Sequence, residues 1–117
     1  MNQIGRQTLV IPWTGLAGDD APFLAEYDGI DLNGFTIVAI FTGAHRSDPL
    51  ELRSDGNGRI LIDTVAPSLV PNTIAFNLSE QETRELRGGG TYKIRLTSPG
   101  GDTWTQVRGE TFFEDVG

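Results

Sequence analysis

The sequence predicts an all-β fold: an antiparallel β-sandwich of about seven to nine short strands, with one short helical turn near residues 79–87. Three observations carry this expectation. Apolar and polar residues alternate over several stretches, the period of a strand with one buried face. Turn-forming clusters recur between those stretches, in a chain with 15 glycines and 6 prolines. Only one segment has helix-start chemistry, and the glycines after it leave room for little more than a turn or two.

Taken in order, Gln7 to Trp13 reads as a first strand with Leu9, Ile11 and Trp13 on one side. Pro12 suits an edge or a strand end, because it has no N–H for the ladder. Residues 1–15 are expected to form an N-terminal arm or first strand, and 16–117 a single sandwich domain. Gly15 to Pro22 reads as a loop containing the acidic pair Asp19-Asp20. Phe23, Ala25 and Tyr27 alternate as a short strand ending in an Asp28-Gly29 turn.

Phe35 to Thr42 is the most apolar stretch, with Phe35, Ile37, Ala39 and Phe41 on one face and Val38 and Ile40 on the other. A strand apolar on both faces is central, or has one face covered by a loop or a neighbouring subunit. Gly43 to Pro49 is a polar bend with the only histidine, His45. Leu50 and Leu52 begin a short strand, and Ser54-Asp55-Gly56-Asn57-Gly58 is strong hairpin chemistry. Ile60 and Ile62 are expected to pair back with Leu50 and Leu52. Val65 to Asn72, with two prolines, reads as a loop passing between sheets.

Ile74, Phe76 and Leu78 then alternate as a half-buried strand. Ser79 and Glu82 have the spacing of a capping box, each side chain satisfying the other's orphan backbone N–H. Glu80, Glu82 and Glu85 sit early, and Arg84 and Arg87 late, in agreement with the helix dipole. Gly88, Gly89 and Gly90 are expected to stop this helix. Tyr92, Ile94 and Leu96 alternate with Lys93, Arg95 and Thr97, and Ser98 to Asp102 is a dense turn. Thr103 to Arg108 and Thr111 to Val116 are the closing strands.

At 117 residues the chain is one domain, long enough to bury a core without metal or disulfide staples. A net charge of −7 argues against nucleic acid, which needs a concentrated positive surface. With no cysteine, disulfides and thiolate metal sites are excluded. No apolar run approaches membrane-spanning length, and the first residues lack the layout of a secretion signal, so a soluble product made in a cytoplasm is expected. Eight of the nine basic residues are arginine. That suits pairing with carboxylates at interfaces, and is equally explained by Arg-favouring codon usage.

An enzyme needs converging acids, bases or nucleophiles. The lone His45 lies in a predicted loop, and no nucleophile elbow, phosphate loop or zinc-binding helix motif appears. Gly88-Gly89-Gly90 follows a helix and precedes a strand, the reverse of a phosphate cradle. Asp55-Gly56-Asn57-Gly58 begins like a calcium loop, but Arg59 occupies the fifth position and no acidic residue closes it. No catalysis, cofactor or metal is expected. Trp13 and Trp104 fit core positions, the alternative being sugar-stacking platforms.

From Gly18 onward the order of features resembles the small immunoglobulin-like proteins of tailed bacteriophages, related to the N-terminal domain of upper baseplate proteins. The likeness runs through Gly18-Asp19-Asp20-Ala21-Pro22-Phe23, the Asp28-Gly29 turn and the Asp31-Leu32-Asn33-Gly34-Phe35 step. It continues through Gly58-Arg59-Ile60-Leu61-Ile62, Ile74 to Thr83, Gly90-Thr91-Tyr92, Thr97 to Gly101 and Arg108 to Phe112. Asn33 stands where that family has a hydroxyl residue, and Val65 to Asn72 replaces a short Gly-rich link.

The resemblance implies an immunoglobulin-like sandwich without catalytic residues. It implies a virion structural protein assembled in the host cytoplasm: an adaptor in the tail tip or baseplate that connects the tail to fibres or receptor-binding proteins. Its partners would be other phage structural proteins, with several copies per particle and neither nucleic acid nor membrane. A capsid decoration or head–tail role and a carbohydrate-binding module are the alternatives. The residues expected to make protein contacts are Leu9, Ile11 and Trp13 in the arm and His45, Arg46, Leu69 and Val70 in loops.

Overall fold

Alternation of buried and exposed side chains produces nine strands and one short helix among the residues described by the computed structural model, 9–27 and 30–115. The strands are β1 (Leu9–Val10), β2 (Trp13–Leu16), β3 (Ala21–Glu26), β4 (Thr36–Gly43), β5 (Leu50–Arg53), β6 (Leu61–Asp63), β7 (Thr73–Leu78), β8 (Gly88–Thr97) and β9 (Thr103–Glu114). The helix, α1 (Glu80–Glu85), lies between β7 and β8. One sheet has the order β1-β9-β8-β4-β5, with β2 also alongside β9, and the other is β3-β7-β6. The chain changes sheet between β2 and β3, β3 and β4, β5 and β6, and β7 and β8. The predicted all-β sandwich with one short helix is therefore what the chain forms.

Its larger sheet is mixed rather than purely antiparallel, because β1 and β2 run parallel to β9. The expected first strand breaks at Ile11-Pro12 into these two pieces, Pro12 having no N–H to offer the ladder. Gly109 faces the break. A Cβ there would collide with the Ile11 carbonyl oxygen, so only glycine lets the two backbones approach. Residues 1–8, the Asp28-Gly29 turn and Val116 lie outside the described residues.

Several elements differ from the sequence expectation. Ile60 and Ile62 do not return to Leu50 and Leu52: β6 joins the other sheet, with Ile62 opposite Ile74. The reason is Asn57. Its Oδ1 accepts from Arg53 N (3.0 Å) and Arg59 N (3.2 Å), and its Nδ2 donates to Glu51 O (3.0 Å). A side chain thus satisfies the turn's backbone, and the strand is free to cross. Only Ile60 N to Arg53 O (3.0 Å) continues the pairing, while the Ile60 side chain is buried between the sheets.

The Val65 to Asn72 loop links β6 to β7 within one sheet instead of passing between sheets. Gly88 to Gly90 begin β8, and the helix ends at Leu86. The stretch expected as a loop, Gly15 to Pro22, contains the end of β2 and the start of β3. β9 is one long strand, not two. It absorbs an extra residue at Gln106, where Ile94 faces Val107 but Arg95 faces Thr105.

The core lies between the sheets. Ile37, Ala39, Phe41, Leu52, Ile94, Leu96 and Phe113 from one layer meet Ile74, Phe76 and Leu78 from the other. Trp13 closes one side, its ring 5.5 to 6.0 Å from Phe23, Phe41, Phe76, Tyr92 and Phe113. Tyr92 Oη donates to Ile11 O at 2.6 Å, fixing the chain just before that tryptophan.

Helix α1 is pinned from two directions. The capping box forms as spaced, with Ser79 Oγ accepting from Glu82 N (3.2 Å) and Glu82 Oε1 accepting from Ser79 N (2.9 Å). Thr83, fully buried, accepts from Gly18 N at 2.9 Å and faces the Asp19 carbonyl at 2.9 Å.

Candidate interaction surfaces

The seven residues expected to make contacts fall in four separate places. Leu9 and Ile11 lie at the β1 edge, with 46% and 48% of their surface exposed. Trp13 belongs to the aromatic core cluster. His45 is exposed in the β4–β5 loop, and Arg46 beside it pairs with Glu85 of α1 while its Nε donates to Asp48 O at 3.0 Å. Leu69 and Val70 occupy the β6–β7 loop, Leu69 with 96% of its surface exposed. That loop precedes β7 and α1 follows it, so the two loops stand at opposite ends of the sandwich.

Two sheet faces collect side chains that are not among those seven residues. On the outer face of the larger sheet, register places Val10 opposite Arg108, Arg108 opposite Lys93, Lys93 opposite Ile40 and Ile40 opposite Glu51. A groove of about 690 Å³ runs over this row, with Val10, Pro12, Ile40 and Pro49 as apolar lining and Lys93 and Arg108 among its polar lining. Two like charges directly opposite on neighbouring strands are destabilising. Neither Lys93 nor Arg108 is ion-paired among the described residues, whereas Arg46, Arg53, Arg59 and Arg87 all are.

On the outer face of the smaller sheet, Leu24 of β3 lies opposite Ala75 of β7, which lies opposite Leu61 of β6. The two leucines are 72% and 64% exposed. Both occupy the outward phase of an alternating strand, where polar residues normally sit. Two residues farther along, Glu26 and Asp63 share that face. The signal for this row was present in the sequence, as leucines out of phase with their core-facing neighbours. Knowing that they adjoin required the register.

Among the described residues no cluster of three or more His, Cys, Asp or Glu side chains is placed to hold a metal ion. No helix among the described residues is long and apolar enough to cross a membrane. The largest tyrosine perturbation is buried: desolvation pushes the Tyr27 hydroxyl up to about 12. No protein-family model matches the chain, and no curated protein matches it.

Proposed function

We propose that this chain is a non-enzymatic binding module that works through its sheet faces, a virion structural protein acting as an adaptor in a phage tail tip or baseplate. The observation that carries the binding role is the outward row Leu24–Ala75–Leu61. Exposed leucines gathered on one sheet face raise the free energy of the isolated domain and lower it when a partner covers them. The aliphatic groove on the opposite sheet adds a second surface of the same kind. The virion role draws its support from the order of turns and strands from Gly18 to Phe112, which is similar to that of phage immunoglobulin-like tail proteins.

Sugar binding through Trp13 is disfavoured, because its ring packs among five aromatic neighbours. Electron microscopy of intact particles with an antibody against this chain tests the proposal. Label at the tail end is the expected result. Label over the head assigns a capsid role instead, and particles without the chain overturn the virion reading.

A further inference from the structure

We propose that copies of this chain associate head to tail, the outer face of the smaller sheet of one copy seating in the groove on the larger sheet of the next. The inference holds whether or not the chain belongs to a virion. Three features support it: charge, shape and spacing.

Charge is sorted between two opposite faces. The smaller sheet presents Glu26 and Asp63, neither ion-paired among the described residues. The larger sheet presents Lys93, Arg95 and Arg108, which are not ion-paired among the described residues either, although the chain has a net charge of −7. The carboxylates on that face are Glu51, held by Arg53 at 2.5 Å, Glu110, which lines the groove two residues along β9 from Arg108, and Glu114 toward the end of β9. The three cations still outnumber the one carboxylate in the groove, Glu110, which is not ion-paired among the described residues. A chain this acidic repels its copies at large, and a basic strip converts that repulsion into attraction in one orientation.

Shape follows the same division. One face has a ridge, Leu24 and Leu61 flanking Ala75, and the other a groove with an aliphatic floor. Spacing agrees too. On the ridge each leucine is two residues from a carboxylate, about 6.5–7 Å along a strand. In the groove Ile40 is one strand from Lys93, about 4.8 Å away. A leucine entering beside Ile40 brings its carboxylate within reach of the Lys93–Arg108 pair. Because the two faces differ, the contact is heterologous and repeats, giving a ring or a filament instead of a closed two-fold dimer.

Sedimentation velocity from about 10 μM to about 1 mM protein covers the range of weak association. The expected result is growth beyond dimer with concentration, reversed by added salt. K93Q/R108Q removes the groove's charge and L24S/L61S removes the ridge, all at solvent-facing positions, and circular dichroism checks that both variants fold. Each variant alone is expected to stay monomeric. Mixed in equal amounts, they retain one intact ridge and one intact groove between them, so a dimer that grows no further is expected.

A wild-type protein monomeric throughout overturns the proposal. So does association that survives in both variants, or a mixture that stays monomeric. If the wild type remains monomeric yet binds a labelled peptide of alternating Leu and Glu, the groove serves another protein and the second copy is ruled out as its occupant.

Discussion

Arg59 holds Glu82 through two parallel hydrogen bonds, Nη1 to Oε2 at 2.9 Å and Nη2 to Oε1 at 2.6 Å. The same guanidinium reaches the Asn77 carbonyl at 2.9 Å. Glu82 is also the carboxylate of the capping box, so one side chain both starts α1 and ties it to the β5–β6 crossover. Surface ion pairs contribute little, but the Glu82 side chain is only 12% exposed. Two-point geometry and burial together raise this pair above the ordinary surface case.

Glu82→Gln is expected to lower stability by about 2 kcal/mol, combining a weakened cap with a lost charged hydrogen bond. Burial pushes the Glu82 carboxyl upward, but the hydrogen bonds from Arg59 and the Ser79 N–H outweigh it and hold it below the usual range. A depressed carboxylate stabilises the fold above its unfolded pKa, about 4.3, and the gain is lost as pH falls through the folded value. The gap in urea midpoint between wild type and variant should therefore be full at neutral pH and shrink in acid. A gap of constant size refutes the assignment.

Thr83→Val keeps the shape of a buried side chain but leaves the Gly18 N–H without its acceptor. A loss of about 1–3 kcal/mol is expected, and Thr83→Ser should recover most of it. Thermal melts of the three proteins read this directly.

Trp13→Ala should cost about 3–5 kcal/mol, although the residue lies near the start of the chain. Its ring bridges Phe23 and Phe76 of one sheet to Phe41, Tyr92 and Phe113 of the other. Loss of the near-ultraviolet aromatic signal should accompany the fall in stability. A change below about 1 kcal/mol, the scale of a surface substitution, contradicts the packing role.

Desolvation raises both tyrosines, Tyr27 to about 12 and Tyr92 above its ordinary value. An unfolded tyrosine ionises near 10, so folding holds protons that the unfolded chain releases. The stability this contributes is complete below pH 10 and declines as pH rises toward 12. Absorbance titration should find both tyrosines ionising above pH 10 in the folded protein, Tyr27 near pH 12. Ionisation of both tyrosines by pH 10 with the fold intact rules out the buried hydroxyl of Tyr27.

Arg108→Glu turns a cross-strand repulsion with Lys93 into an attraction. A stability gain of about 0.2–1 kcal/mol is expected, seen as a higher denaturation midpoint. Destabilisation would mean that the two cations do not face each other as described.

The strands and the helix cap were legible because each is set locally. The Ser79–Glu82 spacing satisfies two backbone donors wherever it occurs, and Ile74, Phe76 and Leu78 alternate whatever their neighbours. Pairing partners were less legible. Asn57 completes its turn with its own side chain, so the strand after it is not obliged to return to β5. Nor does local pattern predict that Leu9 to Leu16 would run parallel to β9, because 98 positions separate partners such as Leu9 and Val107. The candidate surfaces were hidden for the same reason. Leu24 and Leu61 stand 37 positions apart in the chain and become neighbours only through Ala75.

That parallel pairing has a mechanical consequence. β2 and β9 point the same way, so the incoming end of one and the outgoing end of the other are at opposite extremes of their shared seam. Tension applied along the polypeptide loads the bonds from Trp13–Thr111 to Leu16–Glu114 together, in shear, instead of peeling them apart one after another. Resistance to pulling is therefore set by this short seam and by the indole wedged beneath it, far more than by the number of strands in either layer.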